Sequence, residues 1–329
     1  MILIIGGAGY IGSHVVKQVS EKGFEVIVFD NLSTGHIDAV NSRATFIDGD
    51  LLNKEDLTNV FIKYPITTVI QLAACCYVGE SVTNPSHYYL NNVAGMAILL
   101  DTMKKHNIKT LVFSSSCAVY GKASDALITE IAEKKPINPY GWSKLMGEQM
   151  IRDCSKAFDL EYIILRFFNV AGADSSGDLG EDHIPETHLI PNVIKSIIDN
   201  DEKGVNVLGA DYQTRDGTCI RDFIHVEDLA NAHFLALLSL INKENLNQIY
   251  NVGIGKGYTV KEVIQFCETI LTKKANVSYK KRREGDPPIL IASNEKIKAE
   301  LGWYPKYGIN EMIQSASNWF QKNPIGYQK

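Results

Sequence analysis

A tyrosine and a lysine four residues apart form the first candidate catalytic pair in the sequence. Tyr140 and Lys144 lie in the stretch PYGWSK, where a helix is predicted to begin. Residues spaced i and i+4 share one face of a helix. A nearby ammonium favours the ionised form of a phenol, whose ordinary pKa is about 10, and this makes a usable general base. The same spacing is common on exposed helix surfaces, so the catalytic interpretation depends on what surrounds the pair.

A run of three serines is the second candidate source of chemistry. Ser114, Ser115 and Ser116 follow a predicted strand. Ligands of open parallel sheets bind beyond the carboxyl ends of the strands, so a hydroxyl here is placed to bridge a base and a substrate oxygen. The alternative is that such serines satisfy backbone groups of the loop, and we expect this for two of the three.

A glycine-rich segment indicates a phosphate-binding turn. The sequence GGAGYIG occupies residues 6–12, between the predicted strand Ile2–Ile5 and the predicted helix Ser13–Lys22. Glycines let backbone N–H groups approach a pyrophosphate at a helix N-terminus, although a tight turn without a ligand has the same pattern. Asp30 ends the next strand, about twenty residues on, where an acidic residue binds a ribose 2′-OH. This carboxylate repels a 2′-phosphate and therefore favours NAD over NADP. A bound nicotinamide cation would also favour the Tyr140 phenolate.

Alternating strands and helices are predicted to position these residues. The predicted strands are Ile2–Ile5, Glu25–Phe29, Ala44–Ile47, Thr67–Leu72, Thr110–Ser114 and Tyr162–Phe167. The predicted helices are Ser13–Lys22, Lys54–Lys63, Tyr88–His106, Pro139–Phe158, Leu189–Ile198, Val226–Leu240, Val260–Leu271 and Asn310–Gln321. Ala171–Pro185, rich in Gly, Asp and Pro, is predicted to be a loop. Continuous apolar strands alternating with helices predict an α/β fold with a doubly wound parallel sheet, a smaller second part and a ligand cleft between them.

Composition excludes several classes of function. A chain of 329 residues, 45% hydrophobic and 22% charged, is typical of a globular protein of about two domains. The net charge of −5 does not favour a nucleic-acid partner, and no apolar run reaches the ~18 residues of a membrane span. Six cysteines without a C-x-x-C pair, and no signal peptide, predict reduced thiols in a cytoplasmic protein. No metal site is predicted.

Further motifs occur in order along nearly the whole chain. They are VGESV at 78–82, YYLNNV at 88–93, RFFN at 166–169, RDFIHV at 221–226 and RREGD at 282–286. With the features above, they resemble the extended short-chain dehydrogenase/reductase superfamily and, within it, the NAD-dependent epimerase/dehydratase family. The resemblance implies a Rossmann-like fold, tightly held NAD and reversible inversion at C4 of UDP-glucose and UDP-galactose through a 4-keto intermediate. It implies an NAD-binding domain at 1–168, with segments near 219–255 returning to it, and a mainly UDP-sugar-binding domain at 169–329. It also implies a homodimer formed through the helices Tyr88–His106 and Pro139–Phe158.

The resemblance assigns roles by position. The implied catalytic residues are Ser116, Tyr140 and Lys144. The implied NAD contacts are Gly6, Gly9, Tyr10, Ile11, Gly12, Asp30, Asn31, Asp50, Leu51, Leu72, Ala73, Ala74, Asn92, Ser114, Tyr140, Lys144 and Phe168. The implied substrate contacts are Ser116, Asn169, His188, Leu189, Arg221, Arg283, Asp286 and Leu290. Arg221 and Arg283 suit a diphosphate because a guanidinium fork matches phosphate oxygens, and pairing with Asp222 and Glu284 is the alternative. Asp286 would accept a hydrogen bond from a ribose hydroxyl.

Three positions depart from the pattern of the family. Ile5 stands where threonine is frequent, and Cys76 stands where many members have a lysine that reaches an NAD phosphate. His188 stands where some members have an asparagine, whose amide donor an imidazole N–H could replace.

Leu290 bears on the range of substrates. In the family, the residue four positions after the aspartate of RREGD lies against the sugar, and a tyrosine there narrows the pocket. Leucine is smaller, so the resemblance implies room for the 2-acetamido group of UDP-N-acetylglucosamine. The alternative is a core leucine in the apolar run Ile289–Ala292.

Two other functions remain open. A nucleotide-sugar 4,6-dehydratase needs an acid–base pair, typically Asp-Glu, just after the serine, and here Cys117 and Ala118 follow. A non-catalytic NAD-sensing protein on the same fold typically loses the tyrosine or the lysine, and this chain keeps both.

Overall fold

A computed structural model of the protein describes residues 1–122, 127–199, 204–283 and 286–327. Within these ranges the strands are β1 (Ile2–Ile5), β2 (Val26–Asp30), β3 (Thr45–Asp48), β4 (Thr68–Gln71), β5 (Thr110–Ser116), β6 (Glu161–Phe167), β7 (Asn169–Ala171), β8 (Val205–Leu208), β9 (Ile220–His225), β10 (Gln248–Val252), β11 (Gly257–Thr259), β12 (Val277–Lys280) and β13 (Ile289–Leu290). The α-helices are α1 (Tyr10–Glu21), α2 (Lys54–Lys63), α3 (Val78–Thr83), α4 (Pro85–Tyr88), α5 (Gly95–Lys105), α6 (Pro139–Phe158), α7 (Leu189–Ile198), α8 (Val226–Ile241), α9 (Val260–Leu271), α10 (Glu295–Leu301) and α11 (Ile309–Lys322). Nowhere in the described ranges does a helix combine the length and apolar character that crossing a membrane requires.

Seven strands form one sheet in the order β10-β6-β5-β4-β1-β2-β3. Every pairing in it is parallel, which confirms the predicted doubly wound α/β sheet. The order reverses between β1 and β4, and such a reversal opens a crevice at the carboxyl ends of the strands. Ile5 lies in register with Phe29 and Gln71, so the segments after β1, β2 and β4 leave the sheet at one edge.

Apolar layers cover both faces of this sheet. On one face, Val15 of α1 and Leu229 of α8 belong to the same buried cluster. On the other, Leu57 of α2, Leu99 of α5 and Ile151 of α6 form the second cluster. All five side chains are fully buried, and truncating one such leucine to alanine typically costs about 2–5 kcal/mol. This two-sided burial explains why the strands are apolar throughout.

A smaller mixed sheet lies in the second part of the chain. Its central strand β9 pairs antiparallel with β11 and parallel with β13 and β7. A separate parallel pair joins β8 and β12. Helices α7, α9 and α11 pack together around buried side chains that include Ile194, Val263 and Trp319. The chain also returns to the first part, because β10 joins the large sheet and α8 packs on α1.

The long helix predicted for Tyr88–His106 differs from the observed segment. Helical structure begins earlier, at Pro85, whose fixed φ suits the first turn of a helix. It then passes through a π-helical segment, Tyr89–Ala94, before continuing as α5. π-Helical turns occur often at functional sites, and this one carries Asn92. Helices α3 and α10 were not predicted, since six or seven residues are too few to show a helical period.

Candidate active site

Close backbone approaches shape the glycine-rich turn between β1 and α1. Gly6 has φ of +81°, and a Cβ there would lie 2.5 Å from the Ala73 nitrogen. A Cβ on Gly12 would lie 1.9 Å from the Gly6 carbonyl oxygen. At Gly9, by contrast, a Cβ would meet that oxygen at 3.6 Å and no other atom of the described residues. The fold itself therefore requires glycine at 6 and 12, whereas Gly9 keeps space open at the N-terminus of α1. The open backbone of such a terminus fits the pyrophosphate of a dinucleotide.

Asp30, at the end of β2, is hydrogen-bonded to the backbone of this turn. Its Oδ2 accepts a hydrogen bond from the Ala8 N–H at 2.9 Å, and its Oδ1 accepts one from the Leu32 N–H at 2.9 Å. Burial raises the pKa of the carboxyl group, and the two hydrogen bonds oppose that shift. An ionised carboxylate has about four lone-pair sites, so Asp30 can still accept from a ribose hydroxyl.

Most of the remaining predicted cofactor residues line the same edge of the sheet. The N–H groups of Leu72 and Ala73 donate to the Ile5 carbonyl at 2.9 and 3.0 Å. Asn31 donates from Nδ2 to Asp50 Oδ2 at 3.2 Å. The apolar members of the set are buried or half-buried, and they are Ile11, Leu51, Ala74 and Phe168.

Asn92 connects the loop after β4 to α6. Its Nδ2 donates to the Cys75 carbonyl at 3.0 Å and to Ser143 Oγ at 2.9 Å. Its Oδ1 accepts from the Cys75 N–H at 2.9 Å. The amide therefore holds the loop against the helix position next to Lys144.

The start of α6 packs directly on the turn after β5. Asn138 caps the helix by accepting the Gly141 N–H at 2.8 Å, and Pro139 occupies the first turn. A Cβ on Gly141 would lie 2.5 Å from the Ala118 carbonyl oxygen. Glycine at this position thus lets the helix bring Tyr140 close to the serine strand.

Tyr140 and Lys144 are both buried on α6. Lys144 donates from Nζ to the Ser114 carbonyl at 2.8 Å, and this Nζ lies 5.9 Å from the centre of the Tyr140 ring. Burial lowers the pKa of Lys144 to about 8. Burial also raises the pKa of Tyr140, and a hydrogen bond with Ser116 opposes that shift. The sequence analysis expected Lys144 to lower the pKa of the phenol, but in the protein alone burial has the larger effect and raises it. A cation bound beside the ring would lower this pKa.

The three serines have three different partners. Ser114 Oγ lies 2.7 Å from His233 Nε2, and Ser115 Oγ donates to Glu148 Oε1 at 2.7 Å. Ser116 Oγ accepts the Ala118 N–H at 3.2 Å. The expectation that two of the three satisfy loop backbone groups is wrong, since Ser114 and Ser115 hold buried side chains instead. β5 also extends through Ser116, two residues beyond the predicted end.

A buried ion pair joins α6, the helix that carries Tyr140 and Lys144, to strand β6. Arg166 of β6 donates to Glu148 of α6 through Nε at 2.8 Å and Nη2 at 2.6 Å. Both side chains are at most 1% exposed. With Ser115, this pair links β5, β6 and α6. The sequence analysis missed Glu148, although its position four residues after Lys144 was a usable signal.

The predicted diphosphate-binding residues come together at the edge of the small sheet. Arg221 of β9 donates from Nη2 to Asp286 Oδ1 at 2.6 Å, and Arg283 donates to Asp286 Oδ2 at 3.3 Å. One carboxylate thus joins both guanidinium groups. Glu284 and Gly285 of the RREGD motif lie outside the described residues.

The alternative pairing of Arg221 with Asp222 is not what the structure has. Asp222 is 1% exposed and accepts backbone N–H groups. Its donors are Ile254, Gly255 and Ala292, at 3.0 Å each. Asp222 therefore organises the small sheet, and Arg221 pairs with Asp286.

Leu290 and Asn169 are strand residues of the small sheet. Leu290 lies in register with Arg221, and Asn169 with Phe223. Leu290 is buried, as its core alternative requires, but it packs in a cluster with Cys117 and Phe168. Cys117 follows the predicted catalytic Ser116, and Phe168 is one of the predicted cofactor contacts. Leu290 of the small sheet therefore packs against residues of the first part of the chain.

His188 and Leu189 stand at the beginning of α7, next to three residues that the sequence analysis missed. His188 Nδ1 lies 2.6 Å from Glu181 Oε1 and 3.1 Å from Glu186 Oε1, and His183 Nδ1 lies 3.1 Å from Glu181 Oε1. Burial opposes the charged imidazole, but attraction to the two carboxylates outweighs it and holds the pKa of His188 well above its usual range. The usable signal was the spacing E-x-H-x-x-E-x-H.

Tyr10, Cys76 and Ile5 are the remaining positions that the sequence analysis singled out. Tyr10 donates from Oη to the Gly172 carbonyl at 2.6 Å, which fixes the loop after β7 over the glycine-rich turn. Cys76 is exposed and follows Cys75, whose backbone binds the Asn92 amide. The third departure, Ile5, is buried at the end of β1.

Comparison with known proteins agrees with this arrangement. The profile of the NAD dependent epimerase/dehydratase family matches residues 2–253. A UDP-glucose 4-epimerase of Halalkalibacterium halodurans is 48% identical over 99% of this chain and 97% of its own length. The solved UDP-glucose 4-epimerase of Bifidobacterium longum, in complex with NAD+ and UDP, is 38% identical with a TM-score of 0.94 and 99% coverage of both chains. A UDP-Glc/GlcNAc 4-epimerase of Campylobacter jejuni is also 38% identical, with a TM-score of 0.84 and coverage of 98% of this chain and 99% of the other.

Proposed function

The chain belongs to the NAD dependent epimerase/dehydratase family, and from that premise we propose that it is an NAD-dependent enzyme with UDP-glucose 4-epimerase activity. It inverts C4 of UDP-glucose and UDP-galactose reversibly, through a 4-keto intermediate, in the metabolism of galactose. The observation that carries the proposal is the convergence of Ser116, Tyr140 and Lys144 at the carboxyl edge of the parallel sheet, the edge at which the glycine-rich turn also lies.

The proposed roles of the chain's own residues follow from their surroundings. Tyr140 removes the proton of the C4 hydroxyl, directly or through Ser116, whose side chain interacts with the phenol. After the keto sugar has turned, the same residues return the proton to the C4 oxygen. Lys144 is held by the Ser114 carbonyl and supplies the positive charge next to the phenol. NAD, when bound, supplies reversible acceptance of the C4 hydride.

The UDP part of the substrate is assigned to the small sheet. Among the described residues, Arg221 contacts Asp286 and the Ile220 carbonyl, and a guanidinium has five N–H donors, so donors remain for a diphosphate. Arg283 adds a second guanidinium on the same carboxylate. A diphosphate anchored here leaves the hexose free to turn about its bond to phosphate, and Leu290 lies where the two parts meet.

Incubation of the purified protein with UDP-galactose tests the proposal. We expect UDP-glucose as the product, without net consumption of added NAD. A 4-keto-6-deoxy sugar would identify a dehydratase instead. No conversion by protein that carries NAD would indicate a non-catalytic NAD-sensing role.

A second substrate class follows from Leu290. The side chain lies beside Cys117 and Phe168 and is smaller than a tyrosine, so we propose that UDP-N-acetylglucosamine and UDP-N-acetylgalactosamine are also interconverted. The dual-substrate relative of Campylobacter jejuni supports this extension.

We further propose a homodimer formed through the π-helical segment and α6. Leu90 is 58% exposed, and Trp142 and Met146, four residues apart on α6, are 41% and 39% exposed. These two helical segments pack on each other, so the three apolar side chains are candidates for one surface. Light scattering should give twice the chain mass, and Met146→Arg should yield monomers, whereas Ile62→Arg on α2 should not.

We also propose a division of the chain into two domains and a cytoplasmic location. The return of β10 and α8 to the large sheet supports the assignment of segments near 219–255 to the NAD-binding domain of residues 1–168, whereas β9 pairs within the small sheet. Residues 169–329 then form mainly the UDP-sugar domain. All six cysteines are free, which agrees with the proposed cytoplasmic location.

A further inference from the structure

Four side chains of types that ligate metals lie close together in the segment before α7. Glu181, His183, Glu186 and His188 each offer one donor atom, and these atoms all lie within 4.8 Å of one another. Donor atoms around zinc lie about 2.0–2.2 Å from the ion, so shifts of about 1 Å bring this set around a single ion. The four residues, called here the Glu–His cluster, include none of the proposed proton-transfer residues, although His188 is also one of the implied substrate contacts.

One donor atom of the cluster finds no hydrogen-bond partner among the residues that the structure describes. This atom is the buried Glu186 Oε2, on a side chain that is only 6% exposed. His183 Nδ1 lies 3.8 Å from this oxygen, within ion-pair distance but too far for a hydrogen bond. A buried carboxylate oxygen without a partner is costly, and a bound cation removes that cost.

The surroundings hold the four side chains in place. Glu186 Oε1 accepts the Thr187 N–H at 2.7 Å and the His188 N–H at 2.8 Å, which fixes this carboxylate at the start of α7. The Tyr77 ring lies 5.9 Å from the His183 ring and 6.5 Å from the His188 ring, centre to centre. The donors thus belong to an ordered segment, as a metal site requires.

We propose that the Glu–His cluster binds one zinc-class divalent cation through two imidazole nitrogens and two carboxylate oxygens. Imidazole and carboxylate are established zinc ligands, and two carboxylates balance the charge of the ion. Metal binding at His188 Nδ1 displaces the proton that the two carboxylates favour on this nitrogen, and that proton is released to solvent. The other ring proton stays on Nε2, which remains a hydrogen-bond donor. The site goes beyond the proposed epimerisation, and it departs from the sequence expectation of no metal.

Zinc binding to the untagged full-length protein tests the site. The protein is treated with a chelator, desalted, equilibrated with zinc chloride, and analysed for bound zinc by mass spectrometry. We expect about one tightly bound zinc per chain and a higher melting temperature with zinc than without, because a metal that binds only the folded state stabilises it. His183→Gln with Glu186→Gln removes two of four ligands and should weaken binding by more than about 100-fold.

Two control variants separate this site from its neighbours. His36→Gln changes an imidazole that contacts the Asp182 carbonyl at 3.0 Å, next to the cluster but outside it, and should leave zinc binding unchanged. Cys75→Ser removes a thiol 3.4 Å from His87 Nε2, the competing place for zinc, and should also leave binding unchanged.

Cobalt chloride provides a readout on the unchanged protein. Cobalt in the Glu–His cluster should give ligand-field absorption without a thiolate charge-transfer band. Absence of bound zinc, equal binding by the double variant, loss of binding in Cys75→Ser, or a thiolate band would each overturn the proposal. All of these measurements are made without sugar substrate, so their outcome is separate from that of the activity assay.

Discussion

Replacing Glu148 by glutamine should lower both the stability and the turnover of the protein. The carboxylate accepts two hydrogen bonds from Arg166, at 2.8 and 2.6 Å, and one from Ser115, at 2.7 Å. Removing one partner of a buried ion pair leaves an uncompensated charge and typically costs about 3–5 kcal/mol. At about 2–4 °C per kcal/mol for a chain of roughly this size, the melting temperature should fall by about 6–20 °C.

A second variant separates stability from positioning. Glu148→Leu combined with Arg166→Met removes both charges, and such apolar replacements are often neutral in stability. The melting temperature should recover, whereas kcat should stay low because Ser115 has lost the partner that ties β5 to α6. Differential scanning fluorimetry and the UDP-galactose assay measure the two quantities. The exposed pair of Arg282 and Asp211 supplies the control, so Asp211→Asn should leave the melting temperature unchanged.

Two outcomes would refute this reasoning. If Glu148→Gln melted like the unaltered protein, the ion pair would not stabilise the fold. If the apolar double variant kept full kcat, the pair would have no positioning role for Tyr140 and Lys144.

Four further outcomes are expected. Tyr140→Phe should lose about 10²–10⁴-fold in kcat while keeping its bound NAD, since only the hydroxyl is removed; near-normal turnover would exclude Tyr140 from proton transfer. The nucleotide released on denaturation should be NAD and not NADP, because the Asp30 carboxylate repels a 2′-phosphate; identification of NADP by chromatography would contradict this. Discrimination between UDP-glucose and UDP-N-acetylglucosamine in kcat/KM should stay within about 200-fold and should widen in Leu290→Tyr; an unchanged ratio would remove Leu290 from the pocket. Burial lowers the pKa of His233 to about 4, below its unfolded value of about 6.5, so its contribution to stability is lost as the pH falls through this window. The free energy of unfolding of His233→Gln, measured with urea, should therefore change less between pH 6.5 and 4 than that of the unaltered protein. An equal change in both proteins would show that His233 is not the cause.

The large sheet could be predicted because its signals are local. A strand buried on both faces is apolar throughout, as Ile2–Ile5 is, and the glycine-rich turn and Asp30 follow at fixed distances along the chain. The spacing of Tyr140 and Lys144 likewise depends only on the helix that carries both. The predicted helix boundaries were less accurate, since α1 begins at Tyr10 and not at the predicted Ser13.

Contacts between distant segments could not be predicted in this way. Arg221 and Asp286 are 65 residues apart and meet only because β9 and β13 pair. The pKa of Tyr140 depends on how deeply α6 is buried, and the sequence does not state that depth. The π-helical turn that aims Asn92 also has no simple pattern, because its six residues satisfy the same apolar spacing as an α-helix.

The three serines show how a short polar run encodes both fold and chemistry. Successive residues of a strand point to opposite faces of the sheet, so Ser114 and Ser115 must meet different layers. Ser114 accordingly contacts His233 of α8, and Ser115 contacts Glu148 of α6. The end of β5 is thereby held from both faces, while the Ser114 carbonyl holds Lys144. Ser116, where the strand ends, is the serine that remains close to Tyr140. Two hydroxyl groups thus fix the position of the third, and this division explains why hydrophilic residues occupy the buried end of a central strand.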